Sequence, residues 1–173
     1  MKTYNWATYG TGVIANQLAQ AMASQGRKLY SVSNRTYAKG VAFAEKYNIS
    51  KIYDNPEDVF TDENVDIIYI STPHNTHLPL LLKALANGKH VLCEKSITLN
   101  SDELAQAIAT AESGHAILAE AMTIYHMPLY KKWLNHKFCG ISDSSRSSVG
   151  SYRIASERNI RHQDIRIPVC EES

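Results

Sequence analysis

Asn5-Trp6-Ala7-Thr8-Tyr9-Gly10-Thr11-Gly12-Val13-Ile14-Ala15 decides the fold. A short apolar run ends in Gly10-x-Gly12-x-x-Ala15, and Val13, Ile14, Leu18, Ala19 and Met22 then recur at helical spacing. The order is strand, glycine turn, helix start. It is the dinucleotide-binding fingerprint with Ala at its third small position. Gly10 permits a tight turn that a residue with a Cβ resists. Gly12 lets the backbone approach a pyrophosphate, and Ala15 lets the helix lie close on its strand. The helix start aims free N–H groups and the positive end of its dipole at the phosphates. Gly10, Thr11, Gly12, Val13 and Ile14 are therefore the first candidate cofactor-binding residues.

Strands and helices alternate from there. Tyr4–Tyr9 reads as the first strand, with a helix from Gly12 that Gly26 stops. Lys28–Ser33 reads as a second strand, and Thr36 as the N-cap of a second helix. Ile52-Tyr53 is a short third strand, and Pro56 suits the first position of a short helix. Val65–Ile70 is β-branched and nearly continuous in its hydrophobicity, as expected of a parallel strand covered on both faces. The loop Ser71–His77 leads to a helix over Leu78–Ala86, then a strand His90–Cys93. Another helix begins at Asn100 or Ser101, and a last strand, Ala116–Ala119, ends at Glu120. The pattern predicts an α/β fold, a doubly wound and mostly parallel sheet, occupying residues 1–122. A helix-like segment over 123–136 and an irregular Ser/Arg-rich tail over 137–173 follow.

The bulk numbers agree. The chain has 173 residues, 44% hydrophobic and 20% charged, as in an ordinary soluble domain. A net charge of +1 gives no field toward nucleic acid or an anionic membrane. Met1-Lys2 leads directly into a strand, which leaves no room for a signal peptide, and no apolar run reaches membrane-spanning length. Three scattered cysteines, Cys93, Cys139 and Cys170, suggest neither a disulfide framework nor a zinc site. The expectation is a cytoplasmic protein without a metal.

In such a sheet, ligands sit beyond the carboxyl ends of the strands. Those ends carry Gly10–Ala15, Asn34-Arg35, Thr72–His77, Glu94-Lys95-Ser96 and Glu120. A ribose 2′-OH is held by an acidic residue about 20 positions after the glycine turn. Here Ser33-Asn34-Arg35 stands there, with no carboxylate until Glu45. Arg35 offers a planar guanidinium for a 2′-phosphate or for stacking on adenine. The reading favours NADP, with NAD the alternative.

The motifs Gly10-Thr11-Gly12-Val13-Ile14-Ala15, Thr72-Pro73-His74-Asn75-Thr76-His77 and Glu94-Lys95-Ser96, in this order, resemble the Gfo/Idh/MocA oxidoreductases. Glu120–Pro128 resembles the branch of that family containing the dihydrodiol dehydrogenases. The resemblance implies an NAD(P)-dependent oxidoreductase acting on a sugar, polyol or diol. It places Thr72, Pro73, His74 and His77 beside the cofactor, with Glu94 and Glu120 on neighbouring strand ends. It makes Lys95 the catalytic lysine. The chemistry is consistent. Hydride transfer needs a proton donor to a carbonyl oxygen or an acceptor from an alcohol, and a lysine near a cationic nicotinamide ring sheds its proton more easily.

Two features depart from that family. Ser96 replaces its proline, which leaves a cis peptide after the lysine unassured. The resemblance also stops near Trp133, before the family's second, substrate-binding α/β domain. The expectation from this break is a truncated or frameshifted oxidoreductase that keeps cofactor binding, or a dinucleotide-binding module with little catalysis. An uncovered domain face further predicts self-association.

Overall fold

The computed structural model describes residues 3–128 and Tyr130. Six strands form one sheet: β1 (Trp6–Tyr9), β2 (Ser31–Ser33), β3 (Lys51–Ile52), β4 (Ile67–Ile70), β5 (His90–Cys93) and β6 (Leu118–Glu120). Their order is β3-β2-β1-β4-β5-β6, and every neighbouring pair is parallel. The connections carry α1 (Val13–Ser24), α2 (Tyr37–Tyr47), α3 (Asp58–Thr61), α4 (His77–Ala86) and α5 (Ser101–Ser113). This is the doubly wound Rossmann arrangement that the alternation predicts.

Period-two alternation within β4 builds both cores. Ile67 and Tyr69 join Trp6, Ala15, Met22, Phe43 and Leu92 under α1 and α2. Ile68 and Ile70 join Val59, Phe60, Leu81, Leu85 and Ala107 under α3, α4 and α5. A strand with covered faces on both sides has no use for a polar side, hence its continuous hydrophobicity. Ala15 is fully buried, so α1 lies close on the sheet. The chain lays β2 and β3 on one side of β1, then crosses to place β4, β5 and β6 on the other. A crevice opens where the winding reverses, at the carboxyl ends of β1 and β4.

Local chemistry adjusts several boundaries. Thr36 stands at the N-cap of α2, but its side chain caps nothing. Its own N–H donates to Asn34 Oδ1 at 2.8 Å, a turn made by the asparagine. Asn55 builds a similar turn, its Oδ1 accepting from Glu57 N at 3.3 Å, so α3 begins at Asp58 rather than at Pro56. A 3-10 turn over His74–Thr76 carries α4 back to His77. Asn100 caps α5, accepting from Glu103 N at 2.9 Å, while the Glu103 carboxylate reaches back to Leu99 N at 3.0 Å. The pair resembles a capping box, with asparagine at the N-cap and the carboxylate reaching the N–H one residue before it. After β6, Thr123–His126 form a 3-10 turn. The tail expected over 137–173 lies outside the described residues.

Candidate functional site

Two glycines, two residues apart in the turn between β1 and α1, face opposite demands. Gly10 ends β1 with φ +110°, and its N–H donates to Ser33 O at 2.8 Å. A Cβ there would lie 2.9 Å from Ser71 Oγ and 3.0 Å from Ser71 O. The fold itself requires this glycine, which is wedged between the ends of β2 and β4. Gly12, at the N-cap of α1, has φ −71° and ψ −172°, a conformation open to any residue. A Cβ there would meet nothing within 4 Å. Nothing inside the described fold requires Gly12 to lack a side chain.

Side chains hold the turn between them from both flanks. Asn34 Nδ2 donates to Thr11 Oγ1 at 2.6 Å, joining the loop after β2 to the loop after β1. Asn16 Nδ2 donates to Gly12 O at 2.8 Å. Asn16 Oδ1 in turn accepts from Tyr47 Oη at 2.7 Å and Lys46 Nζ at 2.8 Å. The carbonyls of the turn are thus tied toward α2, and the N–H groups at the start of α1 face the open side. Asn16 escaped the sequence reading, because its partners lie some thirty residues away. Its one local signal is a polar side chain in the first turn of α1, within reach of the turn's carbonyls.

A cleft of about 520 Å³ opens beyond the turn. That size suits a small ligand or one end of a dinucleotide. Its walls include Gly10, Thr11, Gly12, Asn34 and Arg35, with Ser71, Thr72, Pro73 and Thr76 opposite. Lys39, Glu57, Pro79, Leu80 and Lys83 also line it, and none of these was anticipated from the sequence. Lys39 lies in the first turn of α2, four residues after Arg35, which precedes the helix. Glu57 and Lys83 form an ion pair across the outer wall. Among the lining residues Arg35, Lys39 and Lys83 set three positive charges against the single carboxylate of Glu57. The cleft is electropositive, as an anionic ligand requires. Of the other expected residues, Val13 and Ile14 lie at the start of α1 with exposed side chains, 75% and 42% accessible. His74 is exposed on the 3-10 turn.

Glu94, Lys95 and Glu120 gather at the next two strand ends. Glu94 follows β5, its N–H donating to Ile70 O at 2.9 Å, and its Oε1 accepts from Tyr69 Oη at 2.5 Å. Lys95 is exposed, and the Lys95–Ser96 peptide is cis although the second residue is not proline. Glu120 Oε1 accepts from Ile97 N at 2.9 Å, which fixes the chain just past the lysine. Cys93 is fully buried, and burial first, then the Glu94 and Glu120 carboxylates, pushes its thiol well above the ordinary range. It stays a neutral packing residue. His77 is also fully buried, below the cleft rather than in its wall. Its Nδ1 lies 2.9 Å from Ser96 O and its Nε2 2.9 Å from Thr72 O. Among the described residues no three His, Cys, Asp or Glu side chains are grouped to hold a metal ion. No described helix is long and apolar enough to cross a membrane.

The Gfo/Idh/MocA family model, an oxidoreductase family with an NAD-binding Rossmann fold, matches residues 4–122. Trans-1,2-dihydrobenzene-1,2-diol dehydrogenase of Mus musculus is 36% identical over 120 residues, covering 68% of this chain and 36% of the relative. Scyllo-inositol 2-dehydrogenase (NADP(+)) of Bacillus subtilis is 27% identical over 132 residues, covering 76% of this chain and 40% of the relative. The crystal structure of an NAD-binding protein from Listeria innocua superimposes with a TM-score of 0.64 at 30% identity, covering 70% of this chain and 34% of that one. The chain thus spans well under half the length of these relatives.

Proposed function

This chain belongs to the Gfo/Idh/MocA oxidoreductase family with its NAD-binding Rossmann fold, and from that premise we propose that its cleft holds a nicotinamide dinucleotide, NADP in preference to NAD. The contrast between the two glycines carries the reading. Gly10 is required by its neighbours, whereas a Cβ on Gly12 would fill only the open space over the start of α1. A residue kept small without an internal reason fits an external one, a pyrophosphate drawn against backbone N–H groups. Gly10, Thr11, Gly12, Val13 and Ile14 hold that centre, with Thr72, Pro73 and His74 opposite. Asn34 and Arg35 receive the adenosine end, and Arg35 with Lys39 supplies cations for a 2′-phosphate.

The dinucleotide, when bound, supplies the acceptor or donor of a hydride. The chain's own residues handle the proton. Lys95 Nζ is exposed at the end of β5, free to give a proton to a carbonyl oxygen or to take one from an alcohol. Glu94 is fixed by Tyr69, and Glu120 fixes Ile97, so the lysine's flanks are anchored on both sides. Likeness to the two dehydrogenases supports a sugar, polyol or diol as the substrate class of the whole protein.

Titration with NADPH and NADH, followed by nucleotide fluorescence, tests the reading. Saturable binding is expected with both, tighter for NADPH by about tenfold, or 1.4 kcal/mol. The absence of a saturable change with either nucleotide defeats it. A following screen over sugars, polyols and vicinal diols separates an oxidoreductase from a module that binds the dinucleotide without turnover.

A further inference from the structure

We propose that His77 is a positioning residue that couples the dinucleotide loop after β4 to the lysine loop after β5; this rests on the dinucleotide reading above. The histidine opens α4 and is fully buried. Its ring spans two loops that share no sheet register. Nε2 faces Thr72 O and Nδ1 faces Ser96 O, each at 2.9 Å. Carbonyl oxygens only accept, so the imidazolium, with an N–H on each nitrogen, ties both carbonyls and completes the link, whereas a neutral ring ties one of them.

The two ends differ in what they touch. Thr72 lines the cleft with Pro73 and Thr76. The Thr76 hydroxyl donates to Pro73 O at 2.7 Å and lies 2.8 Å from Thr72 Oγ1, so the loop is cross-linked within itself. Ser96, Ile97 and Lys95 do not line the cleft. Ser96 directly follows Lys95, and Ile97 N–H donates to Glu120. A rigid imidazole therefore joins a loop placed to feel the nucleotide to the residue that carries the lysine. A buried apolar side chain would fill the same space without tying either carbonyl.

Hydrogen exchange on the intact chain tests the coupling. The probe is 2′-phospho-ADP-ribose, which carries the adenosine and pyrophosphate but lacks the nicotinamide ring. The coupling predicts slower exchange in the glycine turn and at Thr76, and also at Ile97 and Thr98, by about three- to tenfold, the range of one net hydrogen bond. His77→Gln can keep a donor toward Thr72 O, and His77→Asn one toward Ser96 O. Each retains half of the link, so each should bind the probe yet lose the slowing at Ile97. A purely structural histidine would leave that slowing intact in any variant that keeps its circular dichroism. If neither variant folds, the wild-type chain decides alone. Slowing confined to the glycine turn and residues 72–76 overturns the coupling and leaves the dinucleotide reading standing. No slowing at any amide overturns both.

Discussion

The Tyr69 hydroxyl donates to Glu94 Oε1 across 2.5 Å, linking the interior of β4 to the residue that precedes Lys95. Tyr69 is 3% exposed. Burial, and then the Glu94 carboxylate, hold its phenol well above its ordinary range, so it remains a donor throughout neutral pH. The lysine loop thus starts from a fixed carboxylate and continues to Ile97, which Glu120 fixes in turn.

Tyr69→Phe removes that donor and leaves the packing of the ring. Hydrogen bonds to charged groups are worth about 1.5–3 kcal/mol. Glu94 is half-buried, so water replaces part of the loss. The expected cost is about 1–2 kcal/mol in urea unfolding with an unchanged slope. An unaltered midpoint would show that the short contact contributes nothing to the fold.

The two glycines should separate stability from binding. Gly10→Ala forces a left-handed φ and a Cβ against Ser71, so it should destabilise by about 1–3 kcal/mol. Gly12→Ala adds a methyl group in open space, with less than about 1 kcal/mol at stake as a changed N-cap. It should nonetheless weaken NADPH binding by about tenfold or more, since the methyl takes the place of the pyrophosphate. Unchanged affinity in Gly12→Ala would remove the main support for the proposed ligand.

The part of this design that lies along the chain was legible in the sequence. The glycine turn is local, and β4 announces itself because strands covered on both faces are apolar throughout. The strand ends are read from the same local patterns, and those of β1, β2 and β4 line the cleft. What stayed hidden depends on long-range partners. Tyr69 reads as one more strand hydrophobe until Glu94, twenty-five residues on, meets its hydroxyl. Asn16 reads as an ordinary helix residue until Tyr47 and Lys46 converge on it. His77 closes the loop after β4, yet its burial between two carbonyls is set by how α4 packs over the loop after β5. Lys39 follows Arg35 by only four residues, but Arg35 lies outside α2, so only the fold shows both lining one cleft.

Arg35→Ala and Lys39→Ala should each weaken NADPH by several-fold up to about tenfold while leaving NADH nearly unchanged. The double variant should approach equal affinity for the two nucleotides. Neighbouring cations on one phosphate share their effect, so the two losses should combine to less than their sum. An equal loss for both nucleotides in Arg35→Ala would instead show the guanidinium stacking on adenine, with no reading of the 2′-phosphate.

Asp62 gives the fold an acid limb that can be assigned to one group. Its Oδ2 lies 2.6 Å from both Lys51 Nζ and Tyr53 Oη, and its Oδ1 accepts from Asn64 N at 3.0 Å. Burial alone would raise its pKa; the hydrogen bonds from Lys51, Tyr53 and Asn64 outweigh that and hold the carboxyl at about 2, below the ordinary 3.8. A group whose folded value is depressed stabilises above its unfolded value and loses that stability as pH falls through the folded one. The shift corresponds to about 2 kcal/mol at 1.36 kcal/mol per unit. The Lys51 side chain is 38% exposed, and solvent screening cuts this to about 1 kcal/mol. Asp62→Asn should therefore be less stable than the parent at pH 7 by about 1 kcal/mol, with the gap closing between pH 3.8 and about 2. Urea midpoints of both proteins across that range measure it. A gap that persists unchanged to pH 2 would assign the loss to packing rather than to the carboxylate's charge.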